Sequence, residues 1–156
     1  MGVEIERKFL VAGDGWRVAS DGGTELIQGY ISTDPDRVVR ARVAGHRGTI
    51  TLKGRSDGAA RAEFEWSIPA DDARQVLHTL AVPPLIEKIR HRVEHAGHTW
   101  EIDVFGGRNA GLVVAEVELE REDEEVALPD WVGEEVTGDH RYANSSIVAA
   151  PFDTWD

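Results

Sequence analysis

Read for the spacing of apolar and polar residues, most of the chain alternates with a period of two, as strands do when their faces meet different surroundings. The clearest runs are Val3–Val11, Glu25–Ser32, Val38–Ala44, Thr49–Gly54, Ala62–Ile68, Ile86–His95, Thr99–Phe105 and Val113–Arg121. Between them lie turn-forming sequences such as Asp34-Pro35-Asp36, Ala44-Gly45-His46, Ser56-Asp57-Gly58, Ala96-Gly97 and Gly106-Gly107. Links this short join neighbouring strands as antiparallel hairpins. Two stretches break the alternation. Asp71–Leu80 predicts a helix, with Asp71 or Asp72 available to cap its free amides and Pro83-Pro84 stopping continuation. Arg141–Ala149 predicts a second, shorter helix. The pattern therefore describes one α+β domain over residues 1–156, mainly antiparallel β, with a few short flanking helices. Eight strands are enough to close into a barrel with a usable interior.

The polar parity of these strands is unusual. Glu4, Glu6 and Lys8 oppose Val3, Ile5 and Phe9; Arg40 and Arg42 alternate with Val39, Ala41 and Val43. Lys53 follows Thr49 and Thr51, while Arg61, Glu63 and Glu65 alternate with Ala62, Phe64 and Trp66. Lys88, Arg90 and Arg92 face away from Ile89 and Val93. Glu101 and Asp103 oppose Trp100 and Ile102, and Glu116, Glu118 and Glu120 oppose Val117 and Leu119. Trp66 and Trp100 fall on the apolar parity and read as core. A solvated sheet face mixes Thr, Ser, Gln and both signs of charge. Here most strands carry one sign at successive same-face positions, where like charges repel. Inside a closed barrel such rows would be partly desolvated and would need counter-ions. Rows of Lys and Arg suit a polyanion, and rows of Glu and Asp suit hard divalent cations such as Mg²⁺ or Mn²⁺. A metal-bound polyphosphate satisfies both.

Composition narrows the partners. The chain has 17 Lys plus Arg against 29 Asp plus Glu, a formal charge of −12. That surplus disfavours nucleic acid and anionic membrane surfaces, which would meet the exterior. It does not exclude a small triphosphate held by cations sorted into an interior. The absence of cysteine removes disulfides, thiolate metal sites and thiol nucleophiles. The N-terminal residues Gly2-Val3-Glu4-Ile5-Glu6 place carboxylates where a signal peptide has its apolar core, and no apolar run reaches membrane-helix length, so a cytoplasmic location is expected. His91, His95 and His98 straddle a predicted hairpin with a change of parity and read as a surface turn. No Walker-type loop, dinucleotide glycine pattern or Gly-x-Ser-x-Gly elbow occurs, so phosphate recognition falls to side chains.

Glu4-x-Glu6-x-Lys8 near the N-terminus resembles the signature of the CYTH superfamily, the triphosphate tunnel metalloenzymes. The resemblance continues in order through Gln28-Gly29-Tyr30, Arg40-x-Arg42, Thr51-Leu52-Lys53, Arg61-x-Glu63-x-Glu65, Glu87-Lys88-x-Arg90, Glu101-x-Asp103, Glu116-x-Glu118, Glu135-Val136-Thr137 and Arg141-Tyr142-x-Asn144. It implies an eight-stranded closed tunnel that binds triphosphate on a basic wall and divalent metal on an acidic one. The compact single-domain bacterial members are the nearest match, and several of these hydrolyse inorganic tripolyphosphate.

On that resemblance, Glu116 and Glu118 lead the metal ligands, joined by Glu4, Glu6, Glu63 and Asp103, around two Mg²⁺ or Mn²⁺ ions. Lys8, Arg40, Arg42, Lys53, Arg61, Lys88, Arg90 and Arg141 are the candidate triphosphate ligands. Tyr30 resembles a position suggested as general acid or base, and Lys88 is placed to influence which phosphoanhydride is cleaved. Glu120 and Arg92 read as surface. Nucleoside or thiamine triphosphate hydrolysis, adenylate cyclisation, a non-catalytic polyphosphate sensor and a purely structural barrel remain as competing readings.

Overall fold

The computed structural model describes residues 2–156. Its strands are β1 (Gly2–Val11), β2 (Thr24–Ser32), β3 (Val38–Ala44), β4 (Arg47–Lys53), β5 (Ala60–Pro69), β6 (Val82–His95), β7 (His98–Phe105), β8 (Val113–Glu118) and β9 (Val132–Glu135). The α-helices are α1 (Ala70–Thr79) and α2 (Asn144–Ala149). The sheet runs β5-β4-β3-β2-β6-β7-β8-β1, and β1 pairs back onto β5, so eight antiparallel strands close into a barrel. Closure depends on the length of β1. One edge pairs with β8 from Glu6 to Leu10; the other takes β5 along Gly2–Ile5 and then β9 near Phe9 and Val11.

The barrel is charged inside over much of its length, so much of the apolar parity faces outward and has to be covered. The loop carrying Trp16 and the segment from Leu119 to Trp131 pack over Phe9, Trp100, Ile102, Ala115 and Val117. On the opposite flank α1 lays Ala73 and Leu77 against Ala41 and Val43. A third cluster lies within one end of the barrel, where Tyr30, Val38, Ile86, Phe105 and Val114 meet Ile147 and Val148 of α2. The interior thus changes along its axis from charged to apolar, and α2 closes the apolar end.

Four expectations need correction. Strand β9 lacks a sequence signal because it is four residues long and contains Gly133. Helix α1 has no side-chain cap; Asp71 and Asp72 lie within its first turn, where they favour the helix dipole, and Asp71 pairs with Arg74 at 3.0 Å. Arg141 precedes α2, in a 3₁₀ turn spanning His140–Tyr142. Trp66 is 53% exposed because nothing covers the outer face of β5 there, whereas Trp100 is fully buried as expected.

Gly48 sets how closely α1 approaches the barrel. A Cβ added there would sit 2.9 Å from Ala73 Cβ and 2.9 Å from the Ile68 carbonyl oxygen. Backbone and a helix methyl cannot both yield, so Gly48→Ala is expected to destabilise the fold by about 1–3 kcal/mol. Urea unfolding checks this; an unchanged midpoint would mean that α1 is not seated by this contact.

Candidate active site

The inward charges are sorted by strand order. Glu101 of β7, Glu116 and Glu118 of β8, Glu4 and Glu6 of β1, and Glu63 and Glu65 of β5 come from four consecutive strands and form an acidic arc. Across the barrel, Arg40 and Arg42 of β3 and Lys88 and Arg90 of β6 flank β2, which contributes Tyr30. Lys8, Lys53 and Arg61 add cations on the acidic side, with Lys8 beside Glu116, Lys53 beside Glu4 and Glu63, and Arg61 donating to the Gly54 carbonyl. Together they line a cavity of about 200 Å³, closed at its inner end by Ala143, Asn144 and Ser145. Among the described residues its lining holds seven cations and seven carboxylates, which sum to zero formal charge. The whole surplus of −12 therefore belongs to the rest of the chain.

Strand register forces like charges together in the acidic arc. Glu6 lies opposite Glu118, and Glu101 opposite Glu116. Directly opposed residues have Cβ atoms roughly 5 Å apart. Burial, with Glu116 and Glu4 adding repulsion, pushes the Glu6 carboxyl well above the ordinary carboxylate range. Burial, Glu4 and Glu101 also raise Glu118. Lysines relieve part of this strain. Lys53 Nζ lies 3.1 Å from Glu4 and 3.3 Å from Glu63, while Lys8 Nζ lies 3.8 Å from Glu116. Glu4 and Glu63 split a proton between them. Burial opposes ionisation of both, yet the Glu63 hydrogen bond and Lys53 bring Glu4 down to about 2, while burial and Glu4 push Glu63 up to about 7.

The basic side is organised from beneath. Asp103, fully buried, accepts from Arg90 Nε and Nη2 at 2.8 and 2.9 Å and pairs with Lys88 Nζ at 2.8 Å. Burial opposes its charge, but these two cations hold it far below the usual range. Lys88 shares that carboxylate with Arg90, so burial and the neighbouring guanidiniums bring its ammonium down to about 7. Burial, Arg40 and Arg90 bring Arg42 down to about 9. Arg40 donates to Thr51 Oγ1 at 3.1 Å and to Glu65 at 3.4 Å, but its buried Nε has no partner. A buried donor left unmade costs about 1–3 kcal/mol, so this one is suited to an anion entering the cavity.

A family model for the CYTH domain matches residues 2–148. The chain belongs to the CYTH family. An inorganic triphosphatase of Acetivibrio thermocellus is 47% identical over 152 residues, covering 97% of this chain and 97% of the relative. An inorganic triphosphatase of Nitrosomonas europaea is 37% identical over 151 residues, covering 92% and 95%. A crystal structure of an inorganic triphosphatase superposes with a TM-score of 0.65 at 34% identity, covering 94% of this chain and 99% of that one.

Within this CYTH barrel, thirteen of the residues nominated from sequence line one cavity: Glu4, Glu6, Lys8, Tyr30, Arg40, Arg42, Lys53, Arg61, Glu63, Lys88, Arg90, Glu116 and Glu118. Two depart from expectation. Asp103 does not line the cavity; both its oxygens are taken by Lys88 and Arg90, so it orders the basic wall instead of facing a metal. Arg141 lies outside, with its guanidinium over Tyr142 and Trp155 at 5.0 and 4.7 Å, because the 3₁₀ turn points it away from the tunnel. Glu120 is exposed, and Arg92 is half-exposed beside Glu101 at 3.3 Å, as expected. Glu65 and Glu101 are additional lining groups, visible in hindsight from their parity. Gln28 and Asn144 also belong to the site: Lys88 donates to Asn144 Oδ1 at 2.8 Å, and Gln28 bonds to Arg42, Tyr30 and Asn144.

Glu63 supplies a pH test. Its folded pKa of about 7 exceeds its ordinary value of 4.5, so the folded protein binds the proton more tightly than the unfolded chain. The stability this contributes is full below pH 4.5 and is lost as pH rises through 7. In metal-free protein, Glu63→Gln should therefore lose less thermal stability than wild type between pH 5 and pH 8. Parallel curves from the two proteins would show that Glu63 holds no extra proton.

Proposed function

We propose that the protein is a Mg²⁺- or Mn²⁺-dependent triphosphatase whose preferred substrate is inorganic tripolyphosphate, cleaved to pyrophosphate and phosphate. The observation that carries this reading is the sorting of seven cations and seven carboxylates, among the described residues, around one cavity inside the closed barrel. The two inorganic triphosphatases at 47% and 37% identity support the same reaction.

The donor set fits a hard cation. Glu6, Glu116 and Glu118 are carboxylates brought together on β1 and β8, and burial with repulsion from neighbouring carboxylates raises Glu6 and Glu118, a set that a hard cation would relieve. Among the described residues no three acidic or imidazole groups form a ready-made cage, since Lys8 and Lys53 stand between the carboxylates. Glu4, Glu6, Glu116 and Glu118 would hold the ions, with Glu63 nearby and room for two. When bound, divalent ions neutralise phosphate oxygens and lower the pKa of an attacking water.

The protein's own groups do the rest. Arg40, Arg42 and Arg90 present planar guanidiniums that grip phosphate oxygens in pairs, while Lys8, Lys53, Lys88 and Arg61 add charge along the chain. A triphosphate carries on the order of four negative charges at neutral pH, which demands several cations. Tyr30 lines the cavity and accepts a hydrogen bond from Gln28 at 2.9 Å, so its own proton is available to a phosphate oxygen. Attack of water on a terminal phosphorus breaks its bond to the bridging oxygen, and Lys88 and the arginines stabilise the charge that develops there.

Substrate choice follows from the lining. Among the described lining residues Tyr30 is the one aromatic and Val38 and Ala143 are the apolar ones, so no wall offers stacking to a nucleobase. This favours tripolyphosphate over ATP or thiamine triphosphate and disfavours adenylate cyclisation. Cation pairing of the substrate inside the barrel also explains how an acidic protein takes a phosphate-rich ligand.

Phosphate release from tripolyphosphate with Mg²⁺ or Mn²⁺ is expected to exceed release from ATP, thiamine triphosphate or pyrophosphate. Glu118→Ala should lower the rate by about a hundredfold or more, and chelator should abolish it. Full activity after either treatment, or cyclic AMP as the main product from ATP, would refute the proposal.

A further inference from the structure

We infer that Gln28, which does not line the cavity, is a positioning residue that aims both Arg42 and the Tyr30 hydroxyl proton at the triphosphate; the inference rests on the triphosphate reading above. Gln28 is fully buried on β2, between the two strands of the basic wall. Its Oε1 accepts from Arg42 Nε and Nη2 at 2.9 and 2.7 Å, and its Nε2 donates to Tyr30 Oη at 2.9 Å and to Asn144 Oδ1 at 3.1 Å. Every donor and acceptor of the amide is therefore used.

The direction of this network is forced by its two cationic ends. A guanidinium only donates, so the atom facing Arg42 must be the amide oxygen, and the nitrogen must face Tyr30. An ammonium only donates, so the atom of Asn144 that meets Lys88 at 2.8 Å must also be oxygen, which then receives Gln28 as a second donor. Reversing the Gln28 amide would set its NH₂ against Arg42 and its oxygen against Asn144 Oδ1. With Gln28 donating to it, Tyr30 cannot direct its proton at Gln28. Tyr30 lines the cavity, and its proton is assigned to an acceptor there.

Gln28 thus does two things through other residues. It fixes the guanidinium plane of Arg42 through both donors on one edge, and it keeps Tyr30 a donor toward the substrate. Through Asn144 it also joins α2, which closes the inner end of the cavity, to the Lys88 ammonium.

The test is a double-mutant cycle on tripolyphosphate binding, read by calorimetry without divalent metal so that no turnover intervenes. In Gln28→Glu the new carboxylate still accepts from Arg42 but cannot donate to Tyr30, whose hydroxyl then turns to donate to it. Each of Gln28→Glu and Tyr30→Phe is expected to weaken binding roughly tenfold, the worth of one hydrogen bond to a charged group. The double variant should lose about tenfold as well, because both changes remove the same proton from the cavity. Thermal unfolding reports whether Gln28→Glu is folded. If it is not, Gln28→Met replaces it; this variant releases both the Arg42 edge and the Tyr30 hydroxyl, so binding should still weaken, and Tyr30→Phe should cost less in that background than in wild type because the hydroxyl is no longer held. A loss near a hundredfold in the double variant, or wild-type affinity in Gln28→Glu, overturns the inference while leaving the triphosphate reading intact. Failure of the wild-type protein to bind tripolyphosphate overturns both.

Discussion

Charge enclosed in a small cavity must be neutralised at short range, and that requirement shapes this protein. The barrel closes through β1, which carries Glu4 and Glu6 to the middle of an acidic arc and Lys8 to its inner side. Paired registers then set Glu6 beside Glu118 and Glu116 beside Glu101. Lys53 and Lys8 offset part of the repulsion, while burial and the repulsion that remains raise the carboxyl groups of Glu6, Glu63 and Glu118. The basic wall has the opposite deficit. Asp103 lies beneath it, shared by Lys88 and Arg90; Arg40 and Arg90 reach Glu65 and Glu101 at 3.4 and 3.5 Å, and Arg42 has an amide oxygen as its hydrogen-bond partner. Each wall is short of the opposite charge, and on the proposed reading a metal-bound triphosphate supplies both.

The same requirement explains where the apolar residues go. Strands that turn charge inward must turn much of their apolar parity outward, so this barrel is covered by α1 on one flank and by the Trp16 and Trp131 segments on another. Covering is incomplete: Phe64 and Trp66 stack with centroids 6.5 Å apart on an open stretch of β5. At the closed end the interior itself becomes apolar, and α2 seals it. That seal brings Asn144 against Lys88 and Gln28, so the piece that closes the barrel also orders the basic wall.

Much of this was legible in the sequence. Period-two alternation located eight of the nine strands, and parity separated the charged faces from the apolar ones. Thirteen nominated residues share one cavity for that reason. Parity does not report depth along the barrel axis. Asp103 has the parity of Glu101 but lies further in, where Lys88 and Arg90 converge on it, so a residue expected at the metal orders cations instead. Nor does parity show which outer face is covered, which is why Trp66 reads as core and is exposed. Arg141 was misplaced because a 3₁₀ turn lacks a periodicity from which to read direction. Gln28 is unremarkable by residue type, and only the three-dimensional network reveals its four hydrogen bonds.

The most direct measurement is anomalous diffraction from crystals grown with Mn²⁺ and a non-hydrolysable imido analogue of tripolyphosphate. The account predicts manganese peaks within the barrel among Glu4, Glu6, Glu116 and Glu118, with the phosphate chain lying against Arg40, Arg42, Lys88 and Arg90. Manganese elsewhere on the protein, or a phosphate chain bound outside the barrel, would contradict it.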